Sequence, residues 1–250
     1  MSLNTAPDLT VHFPSQSGTG VGQDQEWCEL EEGGSRRRIR FHDYGDIYAV
    51  PGLYEHLFYE RLKCQSPTVV SDLLMEQLDA AGVSPSDLVV LDLGAGNGMV
   101  AEALKERGVI SQVGVDIVPE AGMASERDRP GLYETYHVCD LLSPPGDVVE
   151  ALEQAEFTAM TSVAALGFGD VPPEVFKTGF DLVQDGGWLA FTIKEDFLHE
   201  TGDDSGFSEL IRTMLADGRL EEKARRRYQH RIGVSGKPLH YVAMVGVKRD

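Results

Sequence analysis

The sequence predicts an α/β protein in which a mostly parallel, seven-stranded sheet is doubly wound by helices and closed by an antiparallel hairpin. Three observations predict it. From residue 88 onward short apolar runs alternate with helical stretches, the order that lays parallel strands beneath helices on both faces. The leading run, Leu88-Val89-Val90-Leu91, is continuously apolar, as a strand buried on both sides must be. Near the end, two longer runs flank Gly233-Val234-Ser235-Gly236-Lys237, the pattern of two antiparallel strands around a glycine loop.

Taken in order, residues 1–25 show no apolar periodicity and are rich in Ser, Thr, Gly and Gln, so a disordered tail is expected. Residues 26–84 are expected to form a hairpin and a helical lid segment. Trp27–Glu31 and Arg36–Phe41 flank Glu32-Gly33-Gly34-Ser35, a hairpin with a short glycine turn. Tyr44 to Leu62 is aromatic-rich and is broken by Pro51-Gly52. Pro67–Ala81 reads as a helix with Val70, Leu73, Leu74 and Leu78 on one side, ended by Gly82. The main domain, 85–250, has strands at Leu88–Leu93, Gln112–Asp116, Tyr133–Cys139, Phe157–Val163, Trp188–Ile193, Lys223–Ile232 and Pro238–Val247. Helical stretches lie between them at Met99–Arg107, Pro119–Arg127, Val148–Gln154 and Pro172–Gln184, with a last one at Phe207–Ala216.

Composition excludes several functions. The 250 residues carry 22 Lys+Arg against 41 Asp+Glu, a formal charge of −19 that repels phosphate backbones and disfavours nucleic acid as a partner. Apolar runs are far shorter than the ~20 residues of a membrane span, and residues 1–25 lack the basic start and apolar stretch of a signal peptide. Cys28, Cys64 and Cys139 are odd in number and widely spaced, which supports neither a disulfide framework nor a metal site; a reducing, cytoplasmic setting is expected. The sequence carries no signal of oligomeric state.

The most informative segment is Asp92-Leu93-Gly94-Ala95-Gly96-Asn97-Gly98, between an apolar strand and a helix. Glycine lets the backbone turn sharply and approach a ligand, and the following helix start offers free N–H groups. A dinucleotide fingerprint needs glycine at 94, 96 and 99, but position 99 is Met. Asp92 ill suits a pyrophosphate and suits a ligand with an ammonium or sulfonium. Asp116 ends the second strand 24 positions later, near the spacing at which an acid accepts ribose hydroxyls. Asp140 ends the third and can accept from an amino group. All three are expected at the carboxyl edge of one sheet.

The set LDLGAGNG, GVDI and CDLL, in this order and spacing, resembles the class I S-adenosylmethionine-dependent methyltransferases with their Rossmann-like domain, over roughly residues 85–195. The resemblance implies S-adenosyl-L-methionine as cofactor. It places Asp92, Leu93, Gly94, Ala95, Gly96, Asn97 and Gly98 at the methionine end, Asp116 with Ile117 at the ribose, and Asp140 with Leu141 at the adenine. Ser162, Val163 and Ala164 would line the sulfonium side, and the aromatic lead-in with Tyr44 and Tyr48 would cover the cofactor. One departure is Glu156-Phe157-Thr158, where many small-molecule members begin the fourth strand with Asp.

Methyl transfer is an in-line displacement, so the protein mainly aligns the reactants, and a base is needed only for an acceptor that must lose a proton. His199, after the fifth strand, and His42, before Tyr44, are the candidate bases. The loop Ala164–Asp170 lacks the Asn-Pro-Pro-aromatic and Pro-Cys motifs of enzymes that methylate bases. A small-molecule methyl acceptor is therefore expected. Two clusters, Arg36, Arg37, Arg38 and Arg40, then Lys223, Arg225, Arg226, Arg227 and Arg231, hold nine of the 22 positive charges. They read either as pairs with neighbouring acids or as a patch for a protein or RNA substrate. A module that binds the cofactor or its demethylated product without catalysis is a third reading.

Overall fold

The chain folds into one small and one large sheet, seen in a computed structural model that describes residues 9–14, 22–166, 170–195 and 206–249. The small sheet contains the expected hairpin, β2 (Trp27–Glu32) and β3 (Ser35–Arg40). Gly33 and Gly34 both have positive φ (57° and 82°), as the tightest two-residue hairpin turn demands. A third strand, β1 (Thr10–His12), pairs antiparallel with β2. It lies inside the segment expected to be a disordered tail. Its anchor is Val11, only 5% exposed, whose carbonyl accepts from Arg61 at 3.1 Å. One apolar residue is too few for a periodicity, which is why the sequence did not reveal it.

After the hairpin come α1 (Tyr44–Tyr48) and α2 (Leu53–Glu55), the latter continued by a π-helical turn over His56–Arg61. Helix α3 (Ser66–Ala81) follows and ends at Gly82, in the left-handed region. Grouped by sequence with the lid, α3 instead packs on the main sheet, setting Val70, Leu73, Leu74 and Leu78 against strand residues such as Tyr228, Ala243 and Val245.

The main sheet comprises β4 (Val89–Leu93), β5 (Ser111–Asp116), β6 (Thr135–Val138), β7 (Ala159–Ser162), β8 (Trp188–Lys194), β9 (Leu220–Ile232) and β10 (Pro238–Lys248). Their spatial order is β6-β5-β4-β7-β8-β10-β9. The first five are mutually parallel, and β10 inserts antiparallel between β8 and β9. Helices α4 (Met99–Glu106) and α5 (Pro119–Asp128) join α3 on one face. Helices α6 (Gly146–Gln154), α7 (Pro173–Leu182) and α8 (Phe207–Ala216) cover the other, where Phe157, Phe176, Phe191 and Phe207 are fully buried. This is the doubly wound, Rossmann-like architecture. No helix among the described residues is long and apolar enough to cross a membrane.

Both basic clusters meet acids. Arg36 lies 3.2 Å from Glu31, Arg37 pairs with Asp46 at 3.6 Å, and the Arg38 guanidinium stacks 3.8 Å above the Trp27 ring. On β9, Arg225 pairs with Glu222, Arg226 with Glu76 at 2.8 Å and Arg227 with Glu195. Exposed pairs of this kind contribute under about 1 kcal/mol each, so their main consequence is that these arginines do not form a bare cationic patch.

Candidate active site

The parallel strands β4 to β7 release their loops at one sheet edge, and those loops enclose a cavity of about 390 Å³. That volume suits a small ligand. Its floor is Leu93 and Gly94 after β4, Asp116–Val118 after β5, Cys139–Leu142 after β6, and Val163–Ala165 after β7. Asp170–Pro172 and Val175 form one wall. The roof is His42, Tyr44, Tyr48 and Tyr54 from the N-terminal segment. Among the described lining residues are three carboxylates, Asp116, Asp140 and Asp170, and no Lys or Arg. The cavity therefore favours a cationic ligand.

The glycine loop is held by its own backbone. The Gly94 and Ala95 N–H groups both donate to the Val115 carbonyl, at 2.9 and 3.1 Å. Gly96 has φ +55°, and a Cβ there would lie 2.4 Å from the Tyr48 hydroxyl. Gly98 has φ +90°, and a Cβ there would lie 2.7 Å from Leu132. Left-handed backbone and close approach thus require glycine at both positions.

Each acid has a distinct setting. Asp116 Oδ2 accepts from the Gly96 N–H and Oδ1 from the Val118 N–H, both at 2.9 Å. The Ile117 N–H adds a third backbone contact, so of the about four acceptor sites of a carboxylate about one remains. Burial pushes its carboxyl above the ordinary range. Asp140 is exposed at the rim and fixes the loop by accepting from the Leu142 N–H at 2.9 Å. Asp92 differs from expectation. It is 1% exposed and off the cavity lining, with Oδ1 accepting from the Thr161 hydroxyl and Oδ2 from the Tyr133 hydroxyl, both at 2.7 Å. Side chains alternate along a strand, so Asp92 faces the opposite way from Leu93, which lines the cavity. Burial pushes its carboxyl up to about 6, and its place is to tie β4 to β7 and to Tyr133.

The roof is an aromatic row. Tyr44 stacks on Tyr48 at 6.2 Å, Tyr48 on Tyr54 at 4.9 Å, and Tyr54 on Phe58 at 4.9 Å. Two arginines near the end of α5 anchor this roof: Arg127 donates to the Tyr48 carbonyl at 3.0 Å, and Arg129 to Glu55 at 2.8 Å. Asn97 in the glycine loop donates to the same Glu55 oxygen at 2.7 Å. Beside the row, His42 Nδ1 lies 2.9 Å from an Asp170 carboxylate oxygen, and both side chains are largely buried in the cavity wall. Next to them Ala164, with φ +57°, is a non-glycine residue in the left-handed region, its N–H held by the Thr192 hydroxyl at 2.8 Å. Strain of this kind concentrates at functional sites.

The cavity thus unites Leu93, Gly94, Asp116, Ile117, Asp140, Leu141, Val163, Tyr44, Tyr48 and His42 from the sequence-derived set. Asp92, Ala95, Gly96, Asn97, Gly98 and Ser162 stand behind the lining; Ser162 is fully buried at the end of β7. His199 lies outside the described residues. Sequence reasoning missed Tyr54 and the partnership of Asp170 with His42. The signals were a tyrosine in an aromatic run already marked as a cover, and a lone acid ending an apolar loop.

A family model described as "Methyltransferase domain" matches residues 63–230. The human protein "Methyltransferase-like protein 27" is 31% identical over 164 residues, 59% of this chain and 63% of that protein. The Candida albicans "Ubiquinone biosynthesis O-methyltransferase, mitochondrial" is 31% identical over 122 residues, 46% of this chain and 36% of that protein. The chain thus aligns with less than two thirds of the length of either relative. Among solved structures, the N-methyltransferase NodS from Bradyrhizobium japonicum WM9, in complex with S-adenosyl-L-homocysteine, superposes with a TM-score of 0.56. It shares 17% identity, and the match covers 84% of this chain and 98% of that one, a likeness of fold.

Proposed function

The chain belongs to the methyltransferase-domain family, and from that premise we propose that it is an S-adenosylmethionine-dependent methyltransferase that methylates a hydroxyl of a small molecule with His42 as the base. The observation that carries this reading is the His42–Asp170 pair in the wall of the cavity. Oxygen is a poor nucleophile until it loses its proton, and a carboxylate-oriented imidazole is suited to take it. The name of the Candida albicans relative, an O-methyltransferase, agrees with an oxygen acceptor. The enclosed volume and the paired arginines favour a small molecule over a protein or RNA chain.

The lining fits the cofactor. Asp116 lines the cavity and keeps about one acceptor site for a ribose hydroxyl. Ile117 and Leu142, 61% and 50% exposed, offer apolar faces to the flat adenine, with Asp140 beside them as an acceptor. Tyr44, Tyr48 and Tyr54 line the cavity as an aromatic wall. When bound, S-adenosylmethionine supplies an electrophilic methyl on a positive sulfur.

This chain's residues do the rest. The roof and Val163–Ala165 after β7 hold the acceptor in line and exclude water, an orientation effect that can reach ~7–11 kcal/mol. His42 Nδ1–H donates to Asp170, so Nε2 takes the proton from the acceptor hydroxyl as its oxygen forms the new bond to carbon. Asp170 then stabilises the imidazolium. General-base assistance of this kind gives ~10²–10⁴-fold. His42→Ala is expected to lower transfer of labelled methyl by about that factor while leaving S-adenosylhomocysteine affinity, read by calorimetry, near wild type. Wild-type turnover in His42→Ala would remove His42 from the mechanism.

A further inference from the structure

Beyond His42 the cavity adjoins a second chamber of about 40 Å³, room for one small polar group, that the mechanism above does not use. His42, Tyr44, Tyr54, Ala164 and Asp170 border both spaces. We propose that this chamber is a recognition subsite for the methyl acceptor, and that it takes an uncharged hydrogen-bond donor, a second hydroxyl or an N–H, on the molecule whose reacting hydroxyl faces His42. The inference rests on the small-molecule reading and adds the acceptor's second recognised group.

The donor requirement comes from Gln23. Its Nε2 donates to the Tyr241 hydroxyl at 2.7 Å, and Oε1 is the end of the amide left without a partner. That oxygen is buried in the chamber lining and has no donor. A buried acceptor left unpaired is costly, and a ligand donor would satisfy it. The link between Gln23 and Tyr241 spans 218 positions, so the contact belongs to the assembled site and not to local chain geometry.

The requirement that the group be uncharged comes from Arg231, which at first resembles an anion receptor. Its guanidinium is committed: Nη2 to Glu26 Oε2 at 2.5 Å and Nη1 to the Ile232 carbonyl at 3.2 Å. Both partners are at most 5% exposed, so the two charges cancel within the wall. His230 adds no cation, because its Nδ1 meets the Ser66 hydroxyl at 2.6 Å and burial holds it well below the usual imidazole range. Asp170 contributes a negative charge at the shared border. An anionic ligand group would therefore meet repulsion and no unpaired cation among the described residues. Phe41, Phe58 and Tyr54 complete the chamber with apolar surface, which fits a compact, ring-like or branched carrier of two polar groups.

The test uses the full chain, S-adenosylmethionine with a deuterated methyl group, and a size-filtered metabolite extract as the acceptor source. Mass spectrometry identifies the labelled product. The expected product carries a second hydroxyl or N–H near the new methyl ether and no anionic group beside it. Gln23→Leu is expected to lower the acceptor's kcat/KM by about 10–100-fold with S-adenosylhomocysteine affinity unchanged, the size of effect for leaving a site's polar contact unmade. A product that lacks the second donor, or an anionic one, overturns the subsite, as does a folded Gln23→Leu with the wild-type rate. If Gln23→Leu does not fold, the product's structure alone decides. Wild-type protein that labels no small molecule refutes the underlying reading instead, and the subsite with it.

Discussion

Asp116→Asn separates ligand recognition from loop support, because the same carboxylate does both. In the wild type its two oxygens accept the Gly96 and Val118 N–H groups at 2.9 Å each. Asparagine has the same shape but one oxygen, so one of those N–H groups would face an amide NH₂. Leaving a backbone donor without its acceptor costs ~1–3 kcal/mol, which sets the expected loss of stability in urea unfolding. The substitution can also turn the spare acceptor position into a donor. A hydrogen bond to a charged acceptor contributes ~1.5–3 kcal/mol, so S-adenosylhomocysteine should bind about 10–100-fold more weakly by calorimetry. Asp140→Asn is the comparison: its exposed carboxylate supports a single N–H, that of Leu142, and little stability should be lost. Wild-type affinity in a folded Asp116→Asn would refute the assignment of Asp116 to the ribose.

Further outcomes follow from buried groups. Burial raises the Asp92 carboxyl to about 6, above its unfolded value near 3.8, so the folded state holds the extra proton between them. Ionised Asp92 therefore costs stability as pH rises through that window, and the cost is complete above it. Unfolding midpoints of Asp92→Asn should gain on wild type from about pH 4 to about pH 7, by up to ~3 kcal/mol, and a gap independent of pH would contradict this. Arg231→Met leaves Glu26 buried and unpaired; denaturant titration should show a loss of ~3–5 kcal/mol, and a loss below 1 kcal/mol would mean that water reaches the pair.

The sheet was legible because its strands are locally apolar and its helices locally amphipathic: α8 has the boundaries read from sequence, and β4, β5 and β10 differ by about one residue. That Asp116, Ile117, Asp140 and Leu141 border one cavity was legible because strand ends in such a sheet share one edge. What escaped depends on long-range geometry. His42 meets Asp170 across 128 positions, and no spacing encodes that contact. Asp92 carried the right residue type in the right motif, but strand alternation turned it away from the cavity. The arginine clusters became interpretable only once Glu76 and Glu195, both distant in sequence, were found opposite Arg226 and Arg227. The net charge of −19 gained meaning too: three of the 41 acids, Asp116, Asp140 and Asp170, make the cavity attractive to a cation.

Methyl transfer to a small-molecule hydroxyl in this cavity is decided by how label distributes between small and large molecules. Purified protein is incubated with deuterated-methyl S-adenosylmethionine and a whole-cell extract, then separated into low-mass and macromolecular fractions before mass spectrometry. The label is expected in a low-mass methyl ether, with the His42→Ala sample depleted of it. Label confined to protein or RNA, or a low-mass product methylated on nitrogen or carbon, would contradict it.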